Sequence, residues 1–216
     1  MRSPIETFPE LRGLGCIHGF TQRVPGLDVS VEREVALARL DEVHAAARRE
    51  LRLDDRLYVT ARQVHGRDVA VIEVAESVCV PEVDGLVTAN PEVCLGIYVA
   101  DCCPVYVIDP VRRAIGLLHS GRKGSELGIA AAAIETMAKT YGSNPADLVV
   151  FLGPCIRPPC YDVDFAALIV GSCREAGVSR IYDSGICTAC HPDLYYSYRA
   201  EKGKTGRMLA LLALES

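Results

Sequence analysis

An α+β fold of mixed β-sheets flanked by helices is what this sequence predicts, on three observations. Apolar runs of strand length interleave with longer Ala- and Glu-rich runs of helical spacing along the whole chain. Several of the short runs are apolar throughout, the pattern of strands buried on both faces. No repeat of solenoid period and no low-complexity tract interrupts them.

At 216 residues the chain is long enough for one substantial core, and a single domain over residues 1–216 is expected. Hydrophobic residues make up 50% and charged residues 24%, which excludes a disordered chain. The net charge of −5 and the lack of any Lys/Arg-rich run argue against nucleic acid and anionic membranes as partners, and in favour of small molecules. Residues 1–15 carry no apolar signal region, and no run approaches the roughly 18 apolar residues of a spanning helix, so the cytoplasm is the expected compartment. Without secretion, the ten cysteines read as thiols, small core residues or metal ligands rather than a disulfide framework.

Gly15 to Arg23 is the first strand, built on Ile17 and Phe20, with His18 and Arg23 as its polar members. Val31 to Leu51 is a helix, because Val35, Ala38, Val43 and Ala46 recur at its period; His44 within it has no partner at ligand spacing and reads as a surface or packing residue. Leu57 to Val64 and Val69 to Val74 are strands joined through His65-Gly66-Arg67-Asp68 as a hairpin or tight connection. Strand alternation puts Gln63 and His65 on one face. Pro81 to Pro91 holds a strand around Leu86, bounded by turns at Asp84-Gly85 and Asn90-Pro91. Val93 to Ala100 is the central strand. A further apolar run turns at Asp109-Pro110, and Ala114 to Leu118 delivers His119 into a Ser-Gly-Arg-Lys-Gly loop.

Ser125 to Tyr141 is a second helix, ended by Gly142 and Ser143, and Leu148 to Leu152 a buried strand running into a loop stiffened by three prolines. Phe165 to Ala176 is a third helix. An aromatic strand from Leu194 to Tyr198, a basic loop from Arg199 to Lys204 and a last helix from Gly206 to Leu214 complete the chain.

Three residues stand at strand ends, His65, Cys102 and His119, 37 and 17 residues apart and too far for a local zinc finger. Two imidazoles and a thiolate suit Zn²⁺ with its fourth position open, the catalytic pattern. The same residues also suit a nucleophilic thiolate, Cys102 or Cys103, with His119 as its base, and spacing alone leaves both readings open. Cys155, Cys160, Cys187 and Cys190 form two close pairs that a closed thiolate site could use. Pro158-Pro159 and the lack of knuckle spacing favour buried thiols and loop packing instead. Ser120 to Gly124, with Arg122 and Lys123, could face an anion, or simply connect strand to helix. Arg199 and Arg207 add cations whose simpler explanation is loop charge.

HGFTQR, QVHG, DGLVT, ADCCPV, HSGRKG, GPCIRPPCY and SYRAEKGKTGR, spread from about His18 to Leu214, resemble in order and spacing the motifs of the multicopper polyphenol oxidoreductase, or laccase-domain, family of purine nucleoside phosphorylases. The resemblance implies α/β/β/α layering akin to toxin-type cysteine hydrolases, with Zn²⁺ held by His65, Cys102 and His119. It implies phosphate-dependent cleavage of adenosine, inosine and 5′-methylthioadenosine, with adenosine deamination beside it. On it we expect Cys102, His119 and Gln63 in catalysis, Arg23, Arg122 and Lys123 on phosphate or ribose, and a monomer or homodimer. Copper is the other metal that these soft ligands admit, but a multicopper phenol oxidase needs many histidines and this chain has five. Two motifs depart from the family pattern: HAGWRG is here His119-Ser120-Gly121-Arg122-Lys123-Gly124, and the GGVS-type loop after Arg23 is shortened to VPGLDVS.

Overall fold

The computed structural model describes residues 5–73 and 76–215, and within them twelve strands fall into two six-stranded sheets. The strands are β1 (Ile5–Glu6), β2 (Cys16–Thr21), β3 (Leu57–Arg62), β4 (Val69–Val71), β5 (Val78–Pro81), β6 (Gly85–Thr88), β7 (Val93–Val99), β8 (Cys103–Asp109), β9 (Ala114–Ser120), β10 (Val149–Leu152), β11 (Arg180–Asp183) and β12 (Met208–Leu214). Four helices join them: α1 (Arg33–Glu50), α2 (Arg122–Glu126), α3 (Ile129–Tyr141) and α4 (Phe165–Glu175). The first sheet has the order β1-β2-β12-β7-β3-β5 and the second β11-β10-β8-β9-β6-β4. Both are mixed: β3 runs parallel to β5 and β7, and β8 antiparallel to β9 and β10.

Strand alternation sorts the core into layers. On β12, Met208, Ala210, Leu212 and Leu214 face inward, where they join Tyr106 and Ile108 of β8 and Ile115 and Leu117 of β9 between the sheets. Leu209, Leu211 and Ala213 face the other way, onto Ala47 of α1. Val105 and Val107 of β8 turn away from the first sheet to meet Ile134 and Met137 of α3 and Phe165 and Ile169 of α4. Helix, sheet, sheet and helix therefore stack as α/β/β/α, as the resemblance implied.

Several expectations are corrected. The last segment, Gly206 to Leu214, is not a helix but the strand β12, paired with both β2 and β7. Leu, Met and Ala favour helices in isolation. Here both faces are buried, so no polar residue marks the period of two. Leu194 to Tyr198 is not a strand but turns, with the Leu194 and Tyr195 N–H groups both donating to His191 O. Tyr195 and Tyr196 are buried and Tyr198 is exposed, and Leu194 O accepts from Arg23 N–H (2.7 Å), beyond the end of β2.

The runs on either side of His65 do not form a hairpin, because β3 lies in the first sheet and β4 in the second. β4 ends at Val71, and Val74 lies outside the described residues. His119 lies inside β9 rather than beyond it, opposite Pro104. The loop expected after it is the short helix α2, separated from α3 by Gly128, whose φ of 78° breaks the expected Ser125–Tyr141 helix in two. β5 and β11 were not anticipated. Both are short edge strands, β5 pairing only β3 and β11 only β10. Among the described residues no helix is long and apolar enough to cross a membrane.

Candidate metal centre and cleft

Two crossings between the sheets and one strand end meet at a single edge. Ala100-Asp101-Cys102 carries the chain from β7 in the first sheet to β8 in the second, and residues 63–68 make the corresponding crossing from β3 to β4. β9 brings His119 up beside them. One ligand atom from each of His65, Cys102 and His119 lies within 4.8 Å of the others. The two rings stand edge to face, with centroids 4.8 Å apart.

Two buried carboxylates hold these segments in place. Asp84, fully buried, accepts hydrogen bonds from the N–H groups of Val64 (3.1 Å), His65 (2.9 Å) and Gly66 (2.7 Å) and also contacts His119 Nδ1 at 2.7 Å. One side chain thus fixes the loop that carries one ligand and the ring of another. Asp101 does the same for Cys102: its carboxylate accepts from Thr188 Oγ1 (2.7 Å) and Arg199 N–H (2.7 Å), and its carbonyl from Ile156 N–H (2.8 Å). His65 and Asp101 have φ of 60° and 80°, left-handed backbone in non-glycine residues, and these bonds are what hold it. Gly121 is required by contact, since a Cβ there would stand 2.7 Å from Cys102 Sγ.

The electrostatics follow from this packing. Burial alone would push the Cys102 thiol up, but the facing His119 and His65 imidazoles bring it down to about 6. Burial would lower His119, yet the Cys102 thiolate and the Asp84 carboxylate outweigh it and lift the ring to about 9. Asp84 falls to about 2, because hydrogen bonds from His119 and Gly66 overcome its burial. At neutral pH and without metal, the site is therefore a thiolate beside an imidazolium. The donor set fits a soft divalent cation: the thiol is held as thiolate, and Asp84 occupies His119 Nδ1 and leaves Nε2 for a metal.

His65, Cys102 and His119 line a cleft of ≈ 1060 Å³. Six cations line it, Arg33, Arg122, Lys123, Arg199, Lys202 and Arg207, against the carboxylates of Glu32, Asp101 and Glu126, in a chain of net charge −5. Tyr98, Tyr161, Phe165 and Tyr198 supply aromatic wall. Of the residues singled out in the sequence, Arg122 and Lys123 are in the cleft, with Arg122 Nε 2.8 Å from Glu126 Oε1. Gln63 lines it as well, but both ends of its amide bind the Tyr98 backbone: Nε2 donates to Tyr98 O (2.7 Å) and Oε1 accepts from Tyr98 N–H (3.1 Å). Arg23 lies elsewhere. It pairs with Glu201 at 2.6 Å and stacks over Tyr196, fastening the first motif to the last.

The remaining histidines are taken up by the fold. His18 Nε2 accepts from Phe8 N–H (2.9 Å), His44 Nε2 donates to Arg207 O (3.1 Å), and His191 Nδ1 lies 2.9 Å from Cys187 O. The four-thiol set is gathered only in part. Cys160, Cys187 and Cys190 come within 4.8 Å of one another, while Cys155 sits in the core beside Cys103. Sequence reasoning missed Asp84, Asp101 and Thr188. Asp84 read only as half of an Asp-Gly turn, although an acid immediately before a fully buried strand was the available signal.

The family model described as multi-copper polyphenol oxidoreductase laccase matches residues 18–167 and 161–215. The chain is 30% identical to purine nucleoside phosphorylase YlmD of Geobacillus stearothermophilus, over 93% of this chain and 88% of that protein. It is 30% identical to purine nucleoside phosphorylase SCO2081 of Streptomyces coelicolor, over 93% and 96%. The crystal structure of YlmD from Geobacillus stearothermophilus superposes with a TM-score of 0.85 at 26% identity, covering 97% of this chain and 94% of that one.

Proposed function

This chain belongs to the multi-copper polyphenol oxidoreductase laccase family, and from that premise we propose that it is a zinc-dependent purine nucleoside phosphorylase. Its substrates are adenosine, inosine and 5′-methylthioadenosine with phosphate, and adenosine deamination is a side activity. The relatives named purine nucleoside phosphorylase support the activity. The observation that carries the reading is the His65–Cys102–His119 cluster in a cleft whose cations outnumber its carboxylates. An anionic co-substrate needs that imbalance, and a chain of net charge −5 does not supply it by default.

Zn²⁺ would be held by His65, Cys102 and His119, and would supply Lewis acidity to the bound nucleoside in phosphorolysis as in deamination. Arg122 and Lys123, with Arg199 nearby, hold the phosphate and its developing charge, since cleavage at the sugar carbon asks for anion positioning more than for a nucleophilic side chain. Tyr161 and Tyr198 offer flat surface to the purine where the family's tryptophan is replaced by Arg122. Gln63 acts as a positioning residue, because its amide fixes the backbone of Tyr98 at the cleft wall. With His18, His44 and His191 occupied elsewhere, only two histidines serve the cluster, which supports a single metal over a multicopper oxidase. The proposed setting is the cytoplasm, as a monomer or homodimer.

The test is purified protein with each nucleoside, with and without phosphate. Phosphate-dependent release of the free base, abolished by Cys102→Ala and by His119→Ala, is expected. No release from any of the three overturns the assignment.

One observation favours a second reading, a thiol hydrolase: Cys102, His119 and Asp84 form a thiolate, imidazolium and carboxylate series in contact. Metal removal separates the two. A chelator should silence the phosphorylase and added Zn²⁺ restore it, whereas a hydrolase should be indifferent to both.

A further inference from the structure

We propose that Cys160, Cys187 and Cys190 form a second metal centre, a three-thiolate site for a thiophilic cation, Zn²⁺ or Cu⁺, behind the wall of the cleft. Their sulfurs lie within 4.8 Å of one another, with Cys160 and Cys190 at 3.2 Å. A tetrahedral site with metal–sulfur bonds of about 2.3 Å sets its sulfurs roughly 3.8 Å apart, so small side-chain rotations complete the geometry. The CTAC turn brings two of these sulfurs together, with Cys190 N–H donating to Cys187 O (3.2 Å).

Cys103 shows the contrast. It is fully buried, and its sulfur lies 3.6 Å from Pro104 O and 3.7 Å from Gly153 O, so the thiol keeps its proton and donates it. Cys187 is likewise buried, with its sulfur 3.8 Å from Arg157 O, but unlike Cys103 it has two further sulfurs within 4.8 Å. Cys190 is exposed and Cys160 partly so, which gives a cation access and leaves any fourth position to water. On binding, each thiol still protonated releases its proton to solvent.

The site's place in the fold gives it a role. It ties the proline-rich loop after β10 to the turn at 187–190. Tyr161, next to Cys160, lines the cleft, and Thr188, inside the turn, holds Asp101 beside Cys102. A cation here braces the cleft from behind without entering it.

The experiment titrates Zn²⁺ and, separately, Cu⁺ into chelator-stripped, reduced protein, and reads stoichiometry by native mass spectrometry. Two equivalents are expected in the native chain, one in Cys102→Ala and one in Cys190→Ser. Cys190 is at the surface, so its replacement should leave the fold intact, and circular dichroism verifies that. Iodoacetamide mapping is the second measurement: bound metal should protect Cys160 and Cys190 at least tenfold in the Cys102→Ala protein. No equivalent in Cys102→Ala, two in Cys190→Ser, or alkylation indifferent to metal overturns the site. Because the Cys102→Ala arm lacks the first centre, this outcome is independent of whether the chain is a phosphorylase.

Discussion

Asp84 is fully buried, and four hydrogen-bonding groups converge on its carboxylate, three backbone N–H groups and the ring of His119. Replacing it by Asn keeps the volume but removes the charge and turns a donor toward groups that all donate. His119 then loses the partner that fixes its orientation, and the His65 loop loses its anchor. Zinc affinity of Asp84→Asn should fall about 10- to 100-fold, measured by competition with a chromophoric chelator; unchanged affinity would show that Asp84 serves only the fold. The three ligands themselves were legible as strand-end residues in seven ordered motifs. Asp84 and Asp101 were not, because each acts through hydrogen bonds to backbone distant in sequence, and a single chain does not display those partners.

At the scale of elements, α1 lies across the outer face of β12, and His44 is where the helix meets that end of the sheet. Burial is the main cause that lowers the His44 ring to about 4, with its Arg207 O hydrogen bond opposing. The folded state thus holds the ring neutral, while the unfolded chain protonates near pH 6.5. The stability gained is full above about pH 6.5 and is lost as pH falls towards 4, a loss on the order of 3 kcal/mol. His44→Gln retains a donor for Arg207 O and does not titrate. Urea unfolding at several pH values should therefore show a shallower decline between pH 6.5 and 4 than the native chain, and identical slopes would sink the assignment. The sequence marked α1 well, since its outer face is polar. It misled over β12, because seven apolar residues with no polar alternation cannot show which period they follow, and pairing with β2 and β7 overrides helix preference.

Across the whole molecule, the sequence revealed that seven motifs belong together but not which of them meet. HGFTQR and SYRAEKGKTGR meet through Arg23 and Glu201, and the latter also reaches the cleft through Tyr198, Arg199, Lys202 and Arg207, whereas QVHG, ADCC and HSGRKG converge at the β3-to-β4 and β7-to-β8 crossings. That convergence makes the first metal centre a cross-link: His65 and Cys102 leave the first sheet and His119 is the penultimate residue of a strand of the second, so a cation bound by all three ties the layers at one edge. Ligands that bind only the folded state stabilise it by mass action, about 4 kcal/mol at a thousandfold excess over Kd. For a chain of this length that corresponds to a rise in melting temperature of roughly 8 to 16 °C. The measurement belongs in Cys190→Ser, where the thiolate trio cannot contribute. Zinc should raise the melting point in that background and should fail to do so once His65→Ala is added, although His65 is exposed and supports little of the apolar core. If zinc raises both melting points equally, the cation is not bound by these three ligands.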